Sequence, residues 1–177
     1  HFLFNTLNAI STLVLEKRNE AAESMILKLA GFLRYSLDRQ PTALANLSAE
    51  LEAQRKYLEI EQTRFDDKLQ VQFEIEPGLE GAKLPSLILQ PILENAIKYA
   101  VTPSVDGGSI MVSARRDGDV LRIVVEDDGP GLPNEAALPR RRGVGLANIR
   151  ERLELIYGQR AGLIARNREP HGCRIEL

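Results

Sequence analysis

Four polar residues lie close together in the segment Leu87–Ala100: Glu94, Asn95, Lys98 and Tyr99. Asn95 and Lys98 are neighbours on the surface if this segment is a helix, because residues three apart share a face. An amide oxygen can ligate a hard cation, and an ammonium group beside it can bind phosphate, as a magnesium–nucleotide site requires. The same pair is also typical of the solvated face of any helix, so it needs support from elsewhere in the chain.

A second group begins at Asp127 and includes Gly129 and Gly131, within the sequence DDGPG that follows the apolar stretch LRIVVE. A carboxylate at the end of such a strand can lie deep in a pocket when glycines let the backbone cross closely. A buried carboxylate can accept a hydrogen bond from an exocyclic amine, which would select adenine. The alternative interpretation is an ordinary acidic glycine–proline turn.

A third group is formed by Gly143 and Gly145, which come just before a helical segment and follow the arginines Arg140–Arg142. Two glycines there let backbone N–H groups point at an anion, and the helix N-terminus adds partial positive charge. The pattern lacks the Gly-Lys-Ser/Thr run of a Walker loop. It also lacks the preceding strand–turn–helix unit of a dinucleotide site. The arginines could meet phosphates or form a solvated loop.

Hydrophobic periodicity predicts the elements that must position these residues. The segment Leu87–Ala100 has an apolar face at helical spacing, and Leu69–Glu76 alternates as a half-buried strand does. Asp117-Gly118-Asp119 is a strong signal for a β-hairpin. The other predicted strands are Ser109–Arg116, Val120–Glu126, Gly162–Arg168 and Cys173–Leu177, and the other predicted helices of this part are Ala49–Arg64, with Ser48 as its N-cap, and Gly143–Tyr157.

The N-terminal part is predicted to be a helical hairpin. His1–Leu15 carries an apolar stripe and a polar stripe that begins with His1 and Asn5, and Ala21–Asp38 is a second amphipathic helix. A lone hairpin cannot bury both faces, so we expect two copies to form a four-helix bundle. The fold class is therefore α+β. We expect helices in domain 1–66, and an α/β sandwich with a mixed, mostly antiparallel sheet in domain 67–177.

Composition narrows the classes of function. The chain has 177 residues, 44% hydrophobic and 27% charged, with a net charge of -2, which argues against a direct nucleic-acid binder. The single cysteine cannot form an internal disulfide and fits a reducing compartment. No apolar run approaches the roughly 20 residues of a membrane helix. Because the chain starts at His1 inside a predicted helix, we expect it to be a fragment, whose missing upstream segments could carry a membrane anchor.

The three groups occur in one order: an asparagine on a helix, Asp-x-Gly-x-Gly after a strand, and Gly-x-Gly before a helix. In this order the chain resembles the ATP-binding domain shared by gyrase-type ATPases, heat-shock chaperones of the same superfamily and bacterial histidine kinases. The three boxes correspond to Glu94-Asn95, to Asp127 with its glycines, and to Gly143 with Gly145. The resemblance implies ATP and Mg²⁺ as cofactors.

The N-terminal half resembles one branch of that superfamily, the LytS-type sensor histidine kinases. The opening HFLFNTLN is similar to their phospho-acceptor segment HFxFNxLN, and LEIEQTRF at 58–65 and LPSLILQP at 84–91 are similar to two further stretches. The resemblance implies a homodimeric autokinase that passes phosphate to an aspartate on a cognate response regulator, of the LytTR DNA-binding type. It also implies a cytoplasmic domain of a parent protein in the bacterial inner membrane.

The resemblance also assigns roles to residues. His1 is the implied nucleophile, through the ring nitrogen farther from the backbone, and Asn5 could orient the ring or the phosphoryl group. Asn95 is the implied ligand of Mg²⁺, and Asp127 the acceptor of the adenine amine. The other implied contacts to nucleotide, phosphate or metal are Glu94, Lys98, Tyr99, Gly129, Gly131, Gly143, Gly145 and Leu146, with Leu132–Arg142 as a lid that ends in Arg142.

Two departures from family patterns bear on the reaction. Gyrase-type ATPases have a water-activating glutamate four residues before the metal asparagine, and Pro91 stands there, so slow hydrolysis is expected. Phe2 stands where commoner histidine kinases have a candidate base, so no proton acceptor is assigned. Two alternatives stay open: an ATP-binding interaction module without phosphotransfer, and an anti-sigma-type serine kinase, which the helical hairpin disfavours.

Overall fold

The computed structural model describes residues 2–37, 43–132 and 144–177. The helices are α1 Phe2–Leu15, α2 Asn19–Leu37, α3 Leu47–Phe65, α4 Gln90–Ala96, which continues as a π turn over Ile97–Val101, and α5 Val144–Tyr157. The strands are β1 Leu44–Asn46, β2 Leu69–Ile75, β3 Lys83–Pro85, β4 Gly108–Asp117, β5 Val120–Asp127, β6 Ile164–Asn167 and β7 Cys173–Glu176. None of the helices in these ranges is both long and apolar enough to cross a membrane.

The helical part contains three packed helices. α1 and α2 form the predicted hairpin, and α3 packs against both of them. Phe2, Phe32 and Tyr57, one from each helix, form an aromatic cluster with ring centroids 4.9 to 5.9 Å apart. The third helix therefore buries part of the hairpin within one chain, a contact that the sequence analysis did not anticipate.

The five-stranded sheet has the order β2-β4-β5-β7-β6. Only the β2–β4 pair among these strands is parallel, which confirms the mixed, mostly antiparallel sheet. The β4–β5 hairpin closes where Asp117 pairs with Val120, and Gly118 there has a φ of +61°. Alternate residues of β4 are fully buried, among them Val112 and Ala114, because α4 and α5 pack in the same core. The predicted α+β class is confirmed.

The segment before α3 contains a strand that the sequence analysis did not predict. β1 and β3 form a small antiparallel ladder. α3 begins at Leu47, two residues before the predicted start, and the N-cap is Asn46 rather than Ser48. The reason is that carbonyl groups of the loop before β3 accept its first N–H groups, Leu47 to Ala82 at 2.8 Å and Ser48 to Glu80 at 3.1 Å. A side-chain cap is therefore not needed.

The prediction of a single α-helix over Leu87–Ala100 was wrong in two respects. It begins at Gln90, because Leu87 has a φ of +55°, which a right-handed helix does not accommodate. From Ile97 it widens into a π turn, in which Thr102 donates both its N–H and its hydroxyl to the Ile97 carbonyl. π turns are found often at functional sites.

Candidate functional site

The polar residues of the α4 segment lie on its open side. Asn95 is half-buried, while Glu94, Lys98 and Tyr99 are exposed. The Gln90 side chain donates to Glu94 Oε1 at 2.9 Å, which fixes this carboxylate on the helix surface. The Lys98 ammonium lies 4.9 Å from the centroid of the Tyr99 ring, so a cation and an aromatic face stand side by side. The segment therefore offers an amide, an acid, an ammonium and a ring to one ligand.

Asp127 ends β5 with a half-buried carboxylate. Its Oδ1 accepts from the N–H groups of Gly129 at 3.0 Å and Cys173 at 3.2 Å, and no described residue donates to Oδ2. Burial raises the pKa of Asp127, and the charge of Asp128 adds to this rise, while the two N–H groups and Arg168 lower it. The second oxygen can therefore accept a hydrogen bond from a ligand amine.

Gly129 joins this carboxylate to the α4 segment. A β-carbon at Gly129 would lie 2.7 Å from Ala100 Cβ and 2.8 Å from Ala100 Cα, so only glycine permits this approach. Ala100 belongs to the π turn that also contains Lys98 and Tyr99. The glycine after the acid thus lets the loop close onto the helix, as its place in the sequence suggested.

Gly131 has a similar constraint at the other end of this loop. Its φ is +78°, and an added β-carbon would lie 2.6 Å from Asn167 Oδ1. The next residue, Leu132, donates its N–H to Asn167 at 2.6 Å and accepts from the same side chain at 3.2 Å. Asn167 of β6 therefore fixes the point at which the predicted lid begins.

The start of α5 lies beside α4. A β-carbon at Gly145 would be 3.0 Å from Pro91 Cβ, and Leu146 packs partly buried against the core. The predicted lid after Leu132, which includes Arg142, lies outside the described residues, and so do Gly143 and His1. Asn5 is half-buried on α1. The roles predicted for these residues stay predictions.

Sequence reasoning missed a second acid beside Asp127. The Asp128 carboxylate accepts from the N–H and the hydroxyl of Ser109, at 2.8 and 2.7 Å, and so joins the loop to β4. The His171 ring nitrogen Nδ1 lies 2.9 Å from the Asp128 carbonyl oxygen. A cavity of about 450 Å³ lies here, lined by Ala100, Pro103, Ser104, Gly107, Asp128, Gly129, Pro130 and His171. The DDGPG run alone did not show that both carboxylate oxygens of Asp128 accept from the protein, whereas only one oxygen of Asp127 does.

Sequence reasoning also missed a buried acid on α3. Glu61 is buried and pairs with Arg64, Nη2 to Oε2 at 2.6 Å. Burial raises the pKa of Glu61 to about 7, while Arg64 lowers it and the charge of Glu94 raises it. The charge of Glu94 on the α4 segment thus adds to the effect of burial on Glu61.

The described part of the chain does not form a metal site from protein side chains alone. There, no three histidine, cysteine, aspartate or glutamate side chains are grouped so that they could hold an ion. The Asn95 amide can supply one oxygen, and a nucleotide's phosphates can supply others. The donors present therefore suit a magnesium ion that arrives with its nucleotide.

Two family models match the chain. The model of the "Histidine kinase-, DNA gyrase B-, and HSP90-like ATPase" matches residues 81–177, and the model "Histidine kinase" matches residues 1–69.

Among curated relatives, the Sensor histidine kinase YpdA of Escherichia coli K12 is 34% identical, over 96% of this chain and 30% of that protein. The Sensor histidine kinase YesM of Bacillus subtilis is 33% identical, over 100% of this chain and 31% of that protein. The Sensor protein LytS of Enterococcus faecalis is 30% identical, over 100% and 31%. The chain thus spans about three tenths of the length of these relatives.

Solved structures share the fold. The catalytic domain of histidine kinase ThkA, in a nucleotide-free form, is similar with a TM-score of 0.59 and 19% identity, over 76% of this chain and 92% of that one. ThkA in complex with the response regulator protein TrrA is similar with a TM-score of 0.57 and 17% identity, over 98% and 57%.

Proposed function

Because the chain belongs to the histidine kinase family, we propose that it is the kinase core of a sensor histidine kinase. The C-terminal part binds Mg-ATP, His1 accepts the γ-phosphoryl group, and an aspartate of a response regulator receives it next. The strongest support is the contact of Gly129 with Ala100, because it brings the loop after Asp127 onto the helix that carries Asn95.

The adenine side of the site uses Asp127. Its Oδ2, which no described residue occupies with a hydrogen bond, accepts from the exocyclic amine of adenine. Gly129 and Gly131 let the backbone pass over the base, and the exposed Tyr99 flanks it. A base without an amine at this position would leave the Asp127 oxygen unpaired, which costs free energy. The site therefore selects adenine as well as binding it.

The phosphate side uses α4 and α5. The Asn95 amide oxygen ligates Mg²⁺, Glu94 stands beside the metal, and Lys98 neutralises phosphate charge. Gly143, Gly145 and Leu146 present backbone N–H groups at the start of α5, and Arg142 adds a positive charge. The bound Mg-ATP supplies the activated phosphoryl group. The packing of Gly145 against Pro91 supports this arrangement, since it keeps the two helices side by side.

The transfer itself uses His1. Its neutral imidazole has a lone pair near neutral pH, since the unperturbed pKa is about 6.5. The ring nitrogen attacks phosphorus, an N–P bond forms, and ADP leaves with the bridging oxygen. Asn5, four residues further along the chain, orients the ring. Pro91 cannot activate water, so hydrolysis is slow beside transfer to histidine.

The helical part supports a homodimer. Side chains on α1 and α2 remain open although they are large and apolar, with Phe4 73%, Leu7 49% and Leu27 66% exposed. A second copy of the hairpin would cover them in a four-helix bundle. By resemblance, the response regulator is of the LytTR DNA-binding type, and the parent protein is anchored in the inner membrane with this chain in the cytoplasm.

The test is incubation of a longer version of the protein, with upstream residues restored, with γ-labelled ATP and Mg²⁺. We expect label that is acid-labile and base-stable, lost in His1→Ala and reduced at least tenfold in Asn95→Ala. Label that survives on His1→Ala would remove the proposed acceptor. ATP binding without any phosphohistidine would favour the interaction module, and acid-stable label on serine would favour the anti-sigma-type kinase.

A further inference from the structure

The turn before α4 has a conformation that its own sequence does not favour. Leu87 has a φ of +55°, in the left-handed region that disfavours a residue with a β-carbon. Such a residue persists when its surroundings hold it, and such residues cluster at functional sites. The turn, Ser86–Leu89, ends at the N-cap of α4, and no side chain of the α4 segment itself caps this helix.

The group that holds this turn is a buried carboxylate from another helix. Glu50 of α3 is 0% exposed. Its Oε2 accepts from the Leu87 N–H at 2.7 Å, and its Oε1 accepts from the Leu89 N–H at 3.1 Å. The carboxylate thus satisfies N–H groups at the start of α4, where the helix dipole also favours negative charge.

Further contacts support the same turn. Gln54, one turn along α3, donates to Glu50 Oε1 at 3.2 Å and holds the carboxylate in place. Ser86 donates its N–H and its hydroxyl to the Ala43 carbonyl, at 2.9 and 2.7 Å. From the opposite direction, Arg152 of α5 donates to the Ser86 carbonyl at 2.6 Å. The turn therefore links α3 to both helices of the candidate site.

The distance along α4 from this turn to Asn95 is short. Leu89 and Asn95 are less than two helical turns apart, about 9 Å at 1.5 Å per residue. A rigid helix of this length transmits a change of direction at its start to the side chain at its end. We propose that Glu50 is a positioning residue for the nucleotide site, whose buried carboxylate fixes the start of α4 and thereby aims Asn95 at the metal. This inference rests on the proposed function.

The experiment measures the affinity for ATP by calorimetry, with Mg²⁺ and with EDTA, in wild type and in Glu50→Gln. The glutamine can accept from one N–H but turns an amide N–H₂ towards the other. We expect the affinity with Mg²⁺ to fall about tenfold, and the affinity in EDTA to change less than about twofold. The ratio of the affinity with Mg²⁺ to the affinity in EDTA is informative, because a general loosening of the fold would lower both affinities together.

The matched control is Glu52→Gln. Glu52 lies two residues further along α3, but its side chain is 67% exposed and pairs with Lys56. We expect both affinities to stay at their wild-type values. Amide hydrogen exchange gives a second readout, since the N–H groups of Leu87 and Leu89 should exchange faster in Glu50→Gln only.

The outcomes separate this inference from the proposed function. A folded Glu50→Gln with the wild-type ratio, or with an equal loss in both conditions, would overturn the positioning role. If Glu50→Gln does not fold, the second variant is Gln54→Met, which removes the donor that holds the Glu50 carboxylate. An unchanged ratio of the two ATP affinities in Gln54→Met would then overturn the positioning role of Glu50. Wild type without magnesium-dependent ATP affinity would refute the proposed function itself, whatever the variants do.

Discussion

The nucleotide side and the helical hairpin differ in how completely their own chain surrounds them. Around Asp127 and Gly129, backbone N–H groups, a closely packed alanine and buried strands fix each group, and Val112 of the adjoining strand is 0% exposed. On α1 and α2, apolar side chains such as Phe4 and Leu27 are 73% and 66% exposed. The described residues of the first region are held by contacts within one chain, whereas those of the second leave large apolar side chains exposed. The proposed dimer accounts for this difference, because a second copy of the hairpin would cover the exposed side chains.

The largest effect should follow from breaking the first region at the contact between Gly129 and Ala100. Gly129→Ala forces a β-carbon to within 2.7 Å of Ala100 Cβ, so the loop and the π turn must move apart. Overpacking of this kind costs about 1–3 kcal/mol, and we expect Mg-ATP affinity to fall by about a hundredfold, because Asp127 and Asn95 no longer face one ligand. Calorimetric titration, with circular dichroism to check folding, measures this.

Gly81→Ala is the matched control for this change, since nothing lies within 4 Å of a β-carbon there and its φ is not in the left-handed region. We expect wild-type affinity for this variant. If Gly129→Ala also binds Mg-ATP with wild-type affinity, the site does not depend on the close contact between the loop and the π turn.

A smaller effect concerns the acid at the boundary between the two regions. Glu61 on α3 has a pKa raised to about 7, first by burial and further by Glu94, against the influence of Arg64. Below about pH 4.5 both folded and unfolded forms are protonated, and between there and about 7 only the folded form keeps the proton. Stability should therefore fall as the pH rises from about 4.5 to 7, by at most about 3 kcal/mol from this residue.

Urea denaturation at several pH values, compared between wild type and Glu61→Gln, isolates this contribution. The variant cannot ionise, so its stability should depend less on pH across that window. Other buried acids with raised pKa values, Glu50 and Asp127, contribute to both proteins and cancel in the comparison. Parallel pH profiles for the two proteins would mean that Glu61 is not desolvated in the folded chain.

The sequence predicted the fold well where a pattern repeats over many residues. The alternation of β2 and the helical stripe of α1 are such patterns, and the strand, the hairpin helices and the sheet type were confirmed. Short-range signals failed where distant groups decide the outcome. Ser48 had the right chemistry for an N-cap, but carbonyl groups of the loop before β3 accept those N–H groups.

The candidate site shows the same limit. Glycine spacing pointed to a close approach after Asp127, and the contact of Gly129 with Ala100 is one. By contrast, nothing in the pattern distinguished Asp128, whose carboxylate is occupied by Ser109, or showed that Glu50 holds the turn before α4. Such contacts join residues 19 and 37 positions apart, and no local periodicity encodes them.

The smallest effect should come from changing the open region, and it should leave the single chain intact. Phe4 is 73% exposed, so Phe4→Ser removes almost no contact within one chain, and its stability should change by less than about 0.5 kcal/mol. If a second copy covers this surface, the dimer should weaken by about 1 kcal/mol or more, roughly fivefold in dissociation constant. Sedimentation equilibrium of Phe4→Ser beside Val105→Ser, which alters an 83% exposed residue in the loop before β4, measures this difference. Equal self-association of both variants and wild type would mean that the exposed face of the hairpin does not contact a second copy of this chain. The exposed apolar side chains of the hairpin would then be covered by a different partner.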